Sequence, residues 1–299
     1  MDSLSCQKKL RYNIKKIMDD FAVFILTHGR PDSIKTIPTL KKHGYTGKIV
    51  IVIDDEDKSV DQYIKKYGDQ VQVFDKEKVS KSFDEADNFK DRRAIVYARN
   101  ACFQIAQKLE IQYFVQLDDD YQFFEYRFCD KLKYSGKKIL NLNSIFTSIL
   151  KFFKNTKIKT IALSQNGDFM GGKNSAIASK IQLKRKAMNS FFCKADEPIH
   201  FVGRINEDVN TYTSNGSLGD VFFTMSQVSL QQTQTQKSQG GMTELYLTRG
   251  TYIKSFYTVM FSPSSVTISE MGYNNRRLHH QINWNKTVPK IISQTHKKK

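Results

Sequence analysis

Short continuous apolar runs alternate with helix-like stretches over the first 130 residues. Phe21–Leu26 (FAVFIL) is apolar throughout and stops at Thr27-His28-Gly29-Arg30-Pro31. Asp32 or Ser33 then caps a helix predicted over about 33–43, which Gly44 closes. The β-branched run Lys48–Ile53 reads as a strand buried on both faces, the kind that parallel sheets contain, and it ends in Asp54-Asp55-Glu56-Asp57. A helix near 58–67 and a strand at Val71–Phe74 follow. Ile95, Ala98, Cys102, Ile105 and Leu109 recur at steps of three and four, the clearest helical periodicity in the chain, over 91–109. Tyr113–Leu117 is the next strand and is cut off by Asp118-Asp119-Asp120. Strand–helix alternation of this kind predicts an α/β domain with a mostly parallel sheet flanked by helices.

Beyond residue 130 the pattern is weaker. A helix near 143–154 precedes a strand at Thr160–Leu163, and Gly167, Gly171 and Gly172 mark a turn-rich loop. Residues 227–241 are polar, Gln-rich and end in Gly240-Gly241, which reads as a long loop. No repeat and no linker divide the 299 residues.

Charge sharpens this division. Residues 1–130 hold 22 Lys+Arg and 22 Asp+Glu, whereas 131–299 hold 25 against 8, so the whole net charge of +17 lies in the second part. A polyanion engaged by that part fits such an asymmetry, and nucleic acid is the commonest polyanion. Lys184-Arg185-Lys186 and Arg276-Arg277 are the candidate contacts. No run of 18 apolar residues occurs, which excludes a spanning helix. The four cysteines form no CxxC pair, so a zinc knuckle or disulfide framework is not expected and a reducing cytoplasm fits.

The chemistry lies in the two acidic runs. Both follow predicted strands, and in parallel sheets the loops at the carboxyl ends of strands gather at one crevice. Carboxylates crowded there call for a cation, and oxygen donors suit Mg²⁺ or Mn²⁺ with substrate phosphates completing the shell.

The segments FILTHGRP, IVIDDED, YARNA and YFVQLDDDY, in that order, resemble the nucleotide-binding half of GT-A glycosyltransferases. The later GRINEDVNTY resembles the position where those enzymes place a carboxylate against the acceptor hydroxyl. Together with the Gln-rich segment ending in GG, the set is similar to the TET-associated glycosyltransferases, found largely in phages and linked to sugar addition on hydroxymethylated pyrimidines in DNA.

The resemblance implies a single Rossmann-like, GT-A-type domain over 20–285, between an extension (1–19) and a basic tail (286–299). Residues 20–130 would form the nucleotide- and metal-binding half, and 131–285 the basic acceptor-binding half. It implies a UDP-sugar donor, with glucose the first candidate, contacted by Thr27, Arg30, Asp54, Asp55, Arg99, Asn100, Asp118 and Asp119. Asp118, Asp120 and a late histidine, His279 or His280, would hold Mn²⁺ or Mg²⁺. Asp208, or Glu207 beside it, would be the general base. The acceptor would be 5-hydroxymethylcytosine or 5-hydroxymethyluracil in DNA. A base extruded from the stack would need a pocket, for which Phe191, Phe192, Tyr121, Phe123, Phe124 and Tyr126 are candidates unless they pack the core. A protein acceptor, an already glycosylated base, or a DNA-binding protein without catalysis are the alternatives.

Overall fold

Every residue of the strand Phe21–Leu26 (β1) is buried, because helices cover both faces of the sheet it centres. The computed structural model describes residues 17–87, 92–179, 182–232, 253–272 and 276–287. After β1 come helix α1 (Thr36–Lys42), β2 (Lys48–Asp54), α2 (Val60–Tyr67), β3 (Val71–Phe74), α3 (Lys76–Ser80), α4 (Val96–Lys108) and β4 (Tyr113–Asp118). The rest comprises β5 (Tyr121–Phe128), β6 (Tyr134–Lys138), α5 (Leu142–Lys154), β7 (Thr160–Gln165), β8 (Phe191–Lys194), α6 (Glu207–Leu218), β9 (Phe222–Gln232), α7 (Ile253–Phe261), β10 (Val266–Met271), β11 (Arg277–Ile282) and the short α8 (Trp284–Thr287).

Nine strands form one mixed sheet in the order β3-β2-β1-β4-β8-β7-β9-β5-β6. β3, β2, β1 and β4 run parallel, and β7 and β9 are a second parallel pair. β8 is antiparallel to both β4 and β7, and β5 is antiparallel to both β6 and β9. This is the expected helix-flanked α/β sheet in one domain, with antiparallel strands added beyond β4.

The period of two along each strand sorts side chains between two cores. Phe21, Val23, Ile25, Ile51, Ile53, Val115 and Leu117 join one cluster with α5 (Phe146, Ile149, Leu150, Phe153). Ala22, Phe24, Val50, Val52 and Phe114 join the other with α4 (Val96, Cys102, Ile105, Ala106). The alternation therefore turns Gln116 and Asp118 of β4 toward α4. Register then brings three loops to one edge. Leu26 is opposite Asp118 and Val52, so Thr27–Arg30, Asp54–Asp57 and Asp118–Asp120 leave the sheet side by side.

One expectation needs correction. Residues 227–232 are not loop but the end of β9; 233–241, with Gly240-Gly241, lie outside the described residues. β9 shifts register on β7, from Leu163 opposite Met225 to Ser164 opposite Ser229, and this bulge breaks the alternation that would have marked a strand. Phe191, Phe192, Tyr121 and Phe124 are buried in the cores, which is the packing role weighed against a base pocket. Parts of the extension (1–16) and tail (288–299) also lie outside the described residues.

Candidate active site

The Asp118-Asp119-Asp120 turn is braced by the start of α1 and by the loop after β1. Lys35 and Thr36 donate their N–H to the carbonyl of Asp119 at 2.8 and 3.1 Å, and the Thr36 hydroxyl donates to the carbonyl of Asp118 at 2.6 Å. Asp119 is buried, accepting from the Thr27 hydroxyl at 2.6 Å and facing Arg30 Nε at 3.2 Å. Thr27 in turn meets the Tyr63 hydroxyl at 3.1 Å, which also accepts from the Arg30 N–H at 2.8 Å. Thr27 and Asp119, both among the expected donor contacts, hold the turn in place.

Asp118, on the α4 side, meets Arg99. That guanidinium is 1% exposed, at 3.2 Å from Asp118 Oδ1 and 2.9 Å from Glu207 Oε1. Gln116 fixes the same helix by donating to the Arg99 carbonyl at 2.9 Å. Arg99 was expected to contact the nucleotide; it lies beneath the site and ties β4 to the first turn of α6. Asn100 is also structural, because its amide donates to the Phe201 carbonyl at 2.9 Å and accepts from the Phe201 N–H at 3.0 Å.

Glu207 and Asp208 open α6 after Asn206, whose backbone is left-handed (φ 56°). Both acids are buried, and Glu207 shares Arg99 with Asp118. Burial pushes the Asp208 carboxyl up to about 7, and the charge of Glu207 adds to this against the pull of Arg99. Burial likewise raises Asp118 to about 7; Asp120, Glu207 and Asp119 add repulsion while Arg99 opposes it. Asp120 is raised to about 6, by burial and then by Asp119. The site is a crowd of carboxylates that holds protons near neutrality.

The other acidic run is different. Asp54 is buried with both oxygens engaged, by His28 Nδ1 at 2.7 Å and by Lys76 Nζ at 3.0 Å. Burial alone would raise its carboxyl, but His28 and Lys76 outweigh burial and hold it below the usual range. Asp57 accepts from the Gly29 N–H at 2.6 Å and the Ser59 N–H at 2.8 Å, locking the loop after β1 onto the loop after β2. Asp55 is exposed and accepts from the Lys76 N–H at 3.0 Å. His28 and Lys76 were not singled out from the sequence. Lys76 begins a five-residue helix, and no local pattern there announces a buried amine.

The late histidines stand with cations. His279 and His280 are adjacent on β11 with rings 4.2 Å apart. Asn206 Nδ2 donates to the Lys254 carbonyl at 2.7 Å and lies 3.4 Å from His280 Nδ1, which sets this hairpin against the start of α6. Burial lowers both histidines, His280 to about 4, and Lys254 and Lys186 contribute to both. No group of three or more His, Cys, Asp or Glu that could hold a metal ion forms among the described residues, so His279 does not complete a set with Asp118 and Asp120. Those two carboxylates do fit an open cation site. Their mutual repulsion would be relieved by a cation, and Mg²⁺-type ions commonly take one or two protein carboxylates plus phosphate oxygens.

The basic stretch 184–186 is partly consumed inside the fold. Asp168 is buried and pairs with Arg185 at 2.6 Å and Lys186 at 3.2 Å, while Lys184 meets Asn285. Arg185, expected on a DNA-facing surface, is an internal anchor. Arg276 and Arg277 are exposed, with Arg276 3.4 Å from Glu270. Trp284 stacks on Tyr212 of α6 at 5.7 Å and holds the C-terminal turn there.

The sequence model of the family described as TET-Associated Glycosyltransferase matches residues 21–241. No curated protein matches. Among solved structures, the glucosyl-3-phosphoglycerate synthase from Mycobacterium tuberculosis with Mg²⁺ and UDP aligns at 9% identity over 90% of this chain and 91% of that one, TM-score 0.45. The mannosyltransferase PcManGT from Pyrobaculum calidifontis with GDP-Man and Mn²⁺ aligns at 12% over 75% and 64%, TM-score 0.42. TarS 1–349 from S. aureus with UDP aligns at 11% over 81% and 64%, TM-score 0.44.

Proposed function

The chain belongs to the TET-associated glycosyltransferase family, and from that premise we propose that it moves a sugar from a UDP-sugar, glucose first, to the hydroxymethyl group of 5-hydroxymethylcytosine or 5-hydroxymethyluracil in DNA. The observation that carries this reading is the placement of Asp208. It is buried at the start of α6, joined through Glu207 and Arg99 to Asp118, with its carboxyl at about 7. A base poised near the working pH is what an acceptor hydroxyl requires.

In this reading Asp208 takes the proton of the acceptor hydroxyl as its oxygen bonds to the anomeric carbon. The bond from that carbon to the β-phosphate oxygen breaks, and UDP departs with the electron pair. A single displacement of this kind inverts the anomeric centre. Asp118 and Asp120 would hold Mn²⁺ or Mg²⁺, which, when bound, neutralises charge on the leaving diphosphate. Arg99 keeps Glu207 and Asp118 at fixed spacing beneath the reacting atoms. Arg30, half-exposed beside Asp119, is the remaining expected donor contact that still borders the crevice. Arg276 and Arg277 are the exposed members of the proposed DNA surface, together with Lys184 and Lys186.

Incubation with Mn²⁺, a panel of UDP-sugars and DNA carrying either hydroxymethylpyrimidine, followed by digestion and nucleoside mass spectrometry, tests the reading. A hexose-sized gain on the modified nucleoside is expected. Steady UDP release with unmodified DNA would move the acceptor elsewhere, to protein or an already glycosylated base. Neither gain nor release would leave a DNA-binding protein.

A further inference from the structure

We propose that Asn189 and Gln232, a bonded pair of carboxamides beside Asp120, recognise the hydroxyl groups of the transferred sugar. The inference rests on the nucleotide-sugar reading above.

The topology closes a mouth at the edge of the sheet that carries Asp118–Asp120. β8, β7 and β9 stand between β4 and β5, which in a flat sheet would set the end of β4 about 19 Å from the start of β5. Only Asp119 and Asp120 join Asp118 to Tyr121, a span of at most about 11 Å. The sheet therefore curls at this edge. Phe191 is opposite Gln116, Gln165 opposite Leu230 and Gln232 opposite Tyr121, so the start of β8 and the ends of β7 and β9 border the curl.

Carboxamides stand at all three of these strand ends. Asn189 lies two residues before β8, Gln165 ends β7 and Gln232 ends β9. Asn189 Nδ2 donates to Gln232 Oε1 at 2.7 Å, a bridge from β8 to β9 past the end of β7, and both residues are half-buried. Asn189 is fixed from beneath. Its carbonyl accepts from the hydroxyl of the buried Tyr121 at 2.7 Å, and its backbone is left-handed (φ 66°), which asparagine tolerates.

Each carboxamide has two N–H groups and an oxygen with two lone pairs, and the bridge uses one N–H and one lone pair. Gln165 Oε1 accepts from the Asp168 N–H, while its Nε2 is buried with no partner among the described residues. Uncharged groups that both donate and accept match ring hydroxyls, which do the same; a phosphate would call for cations. Asp120 directly precedes the residue opposite Gln232, so a sugar on a diphosphate held at Asp118 and Asp120 comes within reach of the pair.

Calorimetry on the full chain with Mn²⁺ tests this with UDP, with UDP-glucose, -galactose, -N-acetylglucosamine and -xylose, and with deoxy analogues of the UDP-sugar bound best. The variants are Gln232→Met, similar in length, and Asn189→Gly, which keeps the left-handed backbone. Both should bind UDP within about twofold of wild type and the preferred UDP-sugar on the order of tenfold more weakly. At least one deoxy analogue should bind wild type on the order of tenfold more weakly than the parent sugar, and that penalty should vanish in the variants. Sugar affinity unchanged in the folded variants, or a fall shared equally by UDP, overturns the inference and leaves the glycosyltransferase reading intact. Variants that keep sugar binding and lose only transfer to DNA also overturn it, by assigning the pair to the acceptor. Failure of wild type to bind UDP or any UDP-sugar overturns both.

Discussion

Two acidic runs leave the same sheet edge, and their surroundings give them opposite properties. At the end of β2, Asp54 is neutralised by His28 and Lys76 and sits below the usual carboxylate range. At the end of β4, Asp118 and Asp120 sit well above that range, first by burial and then by repulsion from neighbouring acids, with Arg99 opposing this at Asp118 and Arg30 at Asp120. The first arrangement is a buried ion pair in which both Asp54 oxygens already have partners. The second is crowded with like charge, which raises its carboxyls and which a bound cation would relieve by favouring their deprotonated forms. Identical residue types after identical strands therefore divide into a brace and a reaction centre according to what faces them.

Exchanging carboxylates for amides should separate the two. Asp120→Asn should lower Mn²⁺-dependent transfer at least 100-fold, on the order expected for a lost charge-stabilising contact. Its melting temperature without metal at pH 8 should rise, because a repelling charge has gone. Asp54→Asn should do the reverse. It strands the buried Lys76 amine without its carboxylate and should cost about 3 kcal/mol of stability by chemical denaturation. Equal melting behaviour of the two variants would erase the distinction.

Arg99→Met comes next. Removing the guanidinium leaves Asp118 and Glu207 buried without it, so stability should fall by about 3 kcal/mol at neutral pH. Much of that loss should be regained near pH 5, where Asp118 is protonated. A loss that does not depend on pH would mean packing rather than charge.

The pH dependence of the wild type has a definite sign. Asp118 and Asp208, both near 7 when folded, carry more protons in the native than in the unfolded chain between their unfolded values and about 7. Their contribution to stability is therefore fully present below the unfolded carboxylate range and is lost as pH rises through about 7. Transfer runs the other way, because Asp208 must be unprotonated to accept a proton, so the rate should climb through about pH 7. Melting curves and rates over pH 5–9 check both slopes. The smallest effect concerns the surface. Glu in place of both Arg276 and Arg277 should weaken DNA binding severalfold and reduce its salt slope by about two.

The contrast between the halves also decides what the sequence could reveal. β1, β2 and β4 are buried on both faces, so each reads as an unbroken apolar run, and helix α4 carries an unbroken period. β9 bulges at Ser226–Val228 and keeps mixed burial, and β10 and β11 form a partly exposed pair, so no run or alternation marks them. The acids were visible because strand ends and acid runs coincide. Their partners were not: Arg99, Lys76 and His28 acquire their roles from contacts 19, 22 and 26 residues away in sequence, which spacing does not encode. The same holds for Arg185, whose bond to Asp168 turns an apparent surface charge into an anchor.

The central assignment is that Asp208 removes the acceptor proton and does not hold the donor. Asp208→Asn, isosteric at a buried position, isolates that role. With Mn²⁺, the variant should bind UDP within about twofold of wild type while sugar transfer to hydroxymethylated DNA falls at least 100-fold, on the scale of a lost general base. A parallel loss of UDP affinity and transfer, or transfer that survives the exchange, would contradict it.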